Sequence, residues 1–498
     1  MLKVFLCLLS CISFGFATQI VGAWPSNAGK INPHLYSPNE LYAQIMVYQS
    51  LVRYEKGEAK PQVAEKWEIS PDGKIYTFTI KENLKFSDGS PLDAYAIEKN
   101  FDAILENKEE HSWLGITNKI VSAKAKDSKT FILVLNSPYI ATLNELSLPR
   151  PYRFISPNAM INGSTKDGIL APIGSGVWKL EKSILGVQDE FILNSHYTGK
   201  KPEISKFIMK VLPDANARVL ALKGGSVDIL VGKDAVSREN YKHFSQNPKF
   251  AVVASKPQGT FHIAINASKD RTTQDINLRE TIIYGVDRDK IWERILLKID
   301  KQAFTLFDAD VPYCNVDLSP RKYDRQKAKE ILPSDVKELE FVYIANDPLQ
   351  KAVAEVVQSD LSKVGIPIKL NATESISFYN KQTNGDFDLI FNETWGSPFD
   401  PHSFISSMLI PTHADYAIQK DLEQKPAINQ AIRTILDSAD TQIIQENYKI
   451  LLETLEKGAV YLPISYGSVL GIYNKEKIKS YSLGEMEWEF LFEEMELP

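Results

Sequence analysis

Cysteine is scarce: the 498-residue chain has three, and two of them, Cys7 and Cys11, fall in its first seventeen residues. Without that leader Cys314 stands alone, which excludes an internal disulfide and a cysteine-built metal cluster. Long runs of one charge sign are missing too: 57 Lys and Arg face 63 Asp and Glu, for a net charge of −6. A mildly acidic chain without a basic footprint is a poor nucleic-acid binder. Beyond the N-terminus no stretch of ~20 apolar residues occurs, so the body is not expected to span a membrane. Familiar catalytic signatures are also lacking. The seven His form no H-E-x-x-H pair, and there is no G-x-S-x-G elbow, Walker loop or strand-linked G-x-G-x-x-G. Gly174-Ser175-Gly176 reads as a turn before a strand. Triads assemble in space rather than in sequence, so these gaps lower the expectation of an enzyme without abolishing it.

What is present points to export. Met1-Leu2-Lys3 opens with a positive charge, Val4 to Phe16 is apolar, and Gly15 and Ala17 are small residues before a cleavage after Ala17. That is the layout of a secretory signal peptide over residues 1–17, too short to span a bilayer. Leu8-Leu9-Ser10-Cys11 loosely resembles a lipobox, but Ile12 to Phe16 behind it is still apolar, so a lipid anchor is the weaker alternative. The chain is 44% apolar and 10% aromatic, enough for a sizeable core. Its length suits about three domains. An exported protein of this size without disulfides fits a bacterial periplasm, because a large core removes the need for covalent staples.

The hydrophobic pattern gives an α/β chain. Ile75 to Ile80 alternates among β-formers after the turn Pro71-Asp72-Gly73, and Thr130 to Leu135 and Val177 to Leu180 read as further strands. Asp93 is placed to start a helix with apolar Ala96, Phe101 and Ile104 and an acidic first turn. Downstream, strand Leu339 to Ile344 precedes a helix stripe of Leu349, Val353, Val356, Val357, Leu361 and Val364. Gly365 stops that helix, and Ile366 to Leu370 follows as a strand. Phe387 to Phe391 has the near-continuous apolar character of a buried parallel strand. Ile443 to Leu455 predicts an amphipathic helix, and Ala459 to Ser465 a strand.

Several motifs together resemble one family. Ala64-Glu65-Lys66-Trp67, Ser70-Pro71-Asp72-Gly73, Tyr76-Thr77-Phe78 and Lys85-Phe86-Ser87-Asp88-Gly89 come first. Pro172-Ile173-Gly174-Ser175-Gly176, Gly225-Ser226-Val227-Asp228, Leu278-Arg279-Glu280 and Tyr284-Gly285-Val286-Asp287-Arg288 follow. In this order, over nearly the whole chain, they resemble the family-5 solute-binding proteins, the peptide, nickel and haem receptors of bacterial ABC importers. The resemblance implies an α/β, two-lobed periplasmic-binding-protein fold (type II, three-domain class) whose lobes close over a ligand in the cleft between them. It implies a discontinuous core domain at 18–57, 161–258 and 463–498, a β-rich inserted domain at 58–160, and a second lobe at 259–462.

Four further stretches are most similar to the family's nickel-binding members. They are Ala23-Trp24-Pro25 with Asn32 to Tyr36; His111-Ser112-Trp113-Leu114; Leu148 to Phe154; and Thr394-Trp395 through His402 to Pro411-Thr412-His413. That likeness implies a metal-coordinating role for His413, whose imidazole suits Ni²⁺, Cu²⁺ or Zn²⁺. Arg150, between Pro149 and Pro151, would present its planar fork to a carboxylate of a metal chelate. Trp113 and Trp395 would flank the ligand, with Tyr36, Tyr379, Phe399 and Leu41 lining the pocket. On chemistry alone each has a plainer role: a solvated loop histidine, an interdomain ion pair, core aromatics. Arg153 and His402 keep that plainer role, His402 as a structural turn residue. Phe399, Glu110 and Leu41 stand where the nickel-binding relatives commonly carry a tyrosine, a basic residue and a methionine. An acidic Glu110 near the cleft would disfavour extra ligand carboxylates, which leaves the chelator's identity open.

The implied function is a periplasmic receptor, monomeric and not an enzyme. It would capture a nickel ion with a small organic chelator such as L-histidine and hand it to ABC permease subunits. A di- or oligopeptide receptor of the same family is the rival, needing a larger cleft and an acidic residue for the peptide amine. A secreted hydrolase or chaperone is a third class.

Overall fold

The computed structural model describes residues 18–36, 41–233, 235–395 and 400–498. The signal-peptide segment and Phe399 lie outside the described residues. Each lobe is built on one large sheet. The first sheet has seven strands in the order Trp178–Ile184, Gln188–Leu193, Lys206–Val211, Gln19–Trp24, Ile229–Val231, Leu470–Asn474 and Phe250–Ala254. The second has six, in the order Lys301–Gln302, Tyr461–Gly467, Gly259–Ile265, Leu389–Glu393, Leu339–Ile344 and Ile368–Thr373. A smaller antiparallel sheet consists of Ala64–Ile69, Ile75–Ile80, Thr130–Leu135 and Ile120–Asp127, and the segments around it bond to the side of the first large sheet, Ser87 N–H to the Gly174 carbonyl at 2.8 Å and Phe154 N–H to that of Gln49 at 2.9 Å. Each sheet has its own buried apolar cluster, around Trp178 and Phe207, Phe341 and Phe391, and Phe78 and Phe131 respectively.

The chain passes between the large sheets at 255–258 and again at 468–469. The two crossings are bonded to each other. Ser255 N–H donates to the Val469 carbonyl at 2.9 Å, Val469 N–H donates to Ser255 Oγ at 2.9 Å, and Gln258 N–H donates to the Gly467 carbonyl at 2.7 Å.

Local chemistry accounts for most elements. Asp93 caps helix Ala94–Glu106 by accepting from Ala96 N–H at 3.0 Å, and Ile97, Phe101 and Ile104 face inward. The expected acidic first turn is absent: the negative charge sits on the cap itself, where it still meets the positive helix end. Strand Leu339–Ile344 runs parallel to Ile368–Thr373 through helix Pro348–Ser362, which Asp347 caps and which ends before Gly365 at φ 103°. That strand starts two residues later than expected, just past Pro367, which has no N–H for the ladder. The apolar run at 387–391 departs from the purely parallel setting expected for it. Its strand, Leu389–Glu393, is parallel to Leu339–Ile344 but antiparallel to Gly259–Ile265. Burial on both faces, rather than strand direction, makes the run apolar.

The turn at Gly174-Ser175-Gly176 is a close backbone approach. A Cβ on Gly174 would lie 2.0 Å from the Val47 carbonyl oxygen, and one on Gly176 would lie 2.3 Å from that of Met46. Gly174→Ala is therefore expected to cost about 1–3 kcal/mol, read as a lowered denaturation midpoint. An unchanged midpoint would show that this segment moves freely. Among the described residues no helix is long and apolar enough to cross a membrane.

Candidate ligand cleft

Five of the expected site residues fall in one row across the lobes. In the first lobe the Arg150 guanidinium lies 4.3 Å from the Tyr36 ring centroid, and Tyr36 is 5.8 Å from Trp113. Trp113 then meets Trp395 of the second lobe edge-on at 4.8 Å and 82°. Trp395 lies 6.1 Å from the His413 imidazole. The backbone fixes the Trp395 and His413 half of the row. Thr394 exchanges bonds with Thr260, accepting its N–H at 2.7 Å and donating to its carbonyl at 3.1 Å, which holds Trp395 at the end of strand Leu389–Glu393. His413 precedes helix Ala414–Ala417 in an extended conformation (φ −107°, ψ 143°), so the loop position expected from Pro411-Thr412 is what forms.

Burial lowers the pKa of His413, so the ring is held neutral with a lone pair to offer a metal. Asp415 stiffens this loop. Wholly buried, it accepts from Tyr461 OH at 2.9 Å and from Asn392 Nδ2 at 3.1 Å, tying the helix after His413 to the strand before Trp395. On the other side, Tyr36 OH is 2.8 Å from His111 Nδ1. Burial drives the His111 pKa down to about 4, so this prop stays uncharged at neutral pH. Burial also raises the Tyr36 phenol above its ordinary range, while Arg150 opposes that shift. Glu110 is exposed on the same turn as His111, and its negative charge raises the Tyr36 phenol slightly further.

The remaining expectations divide. Leu41 opens helix Leu41–Val47 and is half-buried. Tyr379 sits on helix Ser375–Asn384 with 57% exposure, its ring against Phe378, and is not one of the rings in the row. Arg153 is buried and donates to the backbone carbonyls of Tyr48 and Leu148, so it braces the chain rather than the cleft. His402 is wholly buried, with Nδ1 2.7 Å from Asp400 and 3.3 Å from Tyr448 OH; it begins helix His402–Ser407 and serves packing. No sequence motif singles out His111 or Asp415 for a role at the site. The sole hint for His111 was its place two residues before Trp113. Among the described residues no three His, Cys, Asp or Glu side chains converge to hold a metal ion.

Residues 58–416 match the family described as bacterial extracellular solute-binding proteins, family 5, middle region. The chain belongs to family 5. This family-5 chain is 39% identical to the nickel-binding periplasmic protein of Escherichia coli (strain K12), across 98% of its own length and 97% of the relative's. It is 25% identical to the probable D,D-dipeptide-binding periplasmic protein DdpA of the same organism, over 84% of this chain and 86% of that one. Among solved structures, NikA from Brucella suis in complex with Fe(III)-EDTA superposes with a TM-score of 0.93 at 39% identity, covering 96% of this chain and all of that one. The α/β, two-lobed fold expected from the motifs is thus the fold of the family-5 chain. Family 5 is a family of solute-binding receptors.

Proposed function

We propose that this family-5 receptor works in the periplasm, captures nickel as a chelate with a small organic molecule such as L-histidine, and delivers it to ABC permease subunits. The observation that carries this reading is the row from Arg150 through Tyr36, Trp113 and Trp395 to His413. It offers one neutral imidazole for a metal and one guanidinium for a carboxylate, with aromatic rings between them. Such a set suits a ligand that brings most of its own metal donors. The 39% identical relatives are described as nickel-binding and as bound to Fe(III)-EDTA, a polycarboxylate chelate, which supports the same class of solute. The receptor acts as a monomer, and its first lobe consists of 18–57, 161–258 and a C-terminal return, with 58–160 inserted. We draw that return at the 468–469 crossing, because Tyr461–Gly467 pairs in the second sheet.

Trp113 and Trp395 touch, so a chelate enters only as they part, and their environment changes when the lobes close over it. Intrinsic fluorescence is expected to change saturably on adding NiCl₂ with excess L-histidine, and Trp395→Phe should remove most of that change. Full signals in both Trp113→Phe and Trp395→Phe would place the site elsewhere. A response to dipeptides and none to the nickel chelate would favour the peptide reading that the 25% identical relative represents.

A further inference from the structure

Glu145 belongs to no motif and is not part of the row, yet it is bonded to the backbone two and three residues after Trp113. It sits on the short helix Thr142–Leu146 and is 1% exposed. Its Oε1 accepts from Tyr139 OH at 2.6 Å, Gly115 N–H at 3.2 Å and Ser403 Oγ at 3.1 Å; its Oε2 accepts from Ile116 N–H at 2.8 Å. Gly115 and Ile116 continue the segment that carries Trp113. Ser403 belongs to the second lobe, on helix His402–Ser407, and the same helix reaches back through Ser406 Oγ to the Trp113 carbonyl at 3.0 Å. Beside it Asn144 Nδ2 donates to Asp400 Oδ2 at 2.7 Å. One carboxyl group therefore holds the Trp113 segment and the facing lobe at once.

We propose that Glu145 is a positioning residue that sets Trp113 against the second lobe and makes closure of the lobes take up a proton. This rests on the chelate-receptor reading for its ligand, though not for its closure.

The surroundings support the proton uptake. Burial dominates, and Asp400 across the interface adds like charge; Tyr139, Ile116 and Ser403 favour the ionised form but do not prevail, so Glu145 is pushed up to about 7. The other facing groups are the Tyr36 and Tyr152 phenols on its own lobe, and on the second lobe His402, paired with Asp400, and Tyr448. Lys119, 5.8 Å from the Tyr139 ring, is held by Asp437 at 2.5 Å. When the lobes part, Glu145 loses Ser403, gains water and returns toward the ordinary carboxylate range. Between that range and about 7 the open form is ionised while the closed form holds the proton, which the carboxyl donates to the hydroxyl oxygen of Ser403 or Tyr139, each able to accept as well as donate. Closure there takes up a proton, so it weakens as pH rises through the window and levels off above it.

The test compares wild type with Glu145→Gln, which keeps the shape and cannot ionise. NiCl₂ with excess L-histidine is titrated into each from pH 5.5 to 8, and the affinity ratio cancels the chelate's own protonation. The ratio is expected to shift by about tenfold or more in favour of the Gln variant as pH rises. Ser403→Ala should lose more affinity at pH 8 than at pH 6, because it removes a donor to the ionised form. Small-angle scattering of the ligand-free proteins gives a chelate-independent readout: wild type should be more compact at pH 5.5 than at pH 8, and Glu145→Gln should not change. Parallel affinity profiles, or scattering that does not respond to pH in wild type, would overturn the proposal. A scattering response without chelate binding would leave Glu145 in its role and overturn the nickel reading instead.

Discussion

NiCl₂ alone is expected to bind at least ~100-fold more weakly than NiCl₂ with excess L-histidine, a difference of about 2.7 kcal/mol. His413 is the one imidazole of the row, and no metal-holding trio of side chains exists among the described residues. One imidazole leaves most of the Ni²⁺ coordination sphere to water or to a chelator. Free histidine supplies imidazole, amine and carboxylate together. It arrives with the metal partly dehydrated and adds apolar contact with Trp113 and Trp395. Calorimetric titration of chelator-free protein reads the difference directly, and His413→Ala should weaken chelate binding. Tight binding of NiCl₂ alone would reveal further protein ligands. Equal chelate binding by His413→Ala would mean that Arg150 and the rings hold the chelate without a protein–metal bond.

Arg150→Ala is expected to weaken chelate binding by ~2–5 kcal/mol, the range for truncating one partner of a charge pair buried on association. The guanidinium is half-buried and stacked on Tyr36, which His111 fixes in turn, so its fork is oriented before a ligand arrives. A carboxylate held between the lobes would meet a planar, bidentate donor in a low-dielectric slot. Arg150→Lys should lose a large part of the same energy, because an ammonium neither stacks as a plane nor bonds in a fork. Unchanged affinity in Arg150→Ala would remove the carboxylate contact from the mechanism.

The sequence shows local features best. Strand Leu339–Ile344 coincides with its pattern residue for residue, and the Asp93 cap and Gly365 stop act as their chemistry dictates. Trp113, Trp395, Arg150, Tyr36 and His413 were legible through family motifs, and they do meet. What stayed hidden depends on tertiary partners far along the chain. Glu145 looks like any surface acid of a short amphipathic helix until Ser403 is brought to it from 258 positions away. Asp415 and His111 are ordinary polar residues in sequence, and only burial makes their partners obligatory. The direction of Leu389–Glu393 was equally hidden, because a strand covered on both faces is apolar whichever way its neighbours run.

The paired crossings at 255–258 and 468–469 bear on how capture can happen at all. Two short segments bonded side by side bend across their width far more readily than they shear or twist against each other. The half of the site carrying Arg150 and Trp113 and the half carrying Trp395 and His413 are therefore tethered partners at high effective concentration, with no orientational search between them. Where the two halves meet, the indoles stand edge-on, 4.8 Å apart at 82°.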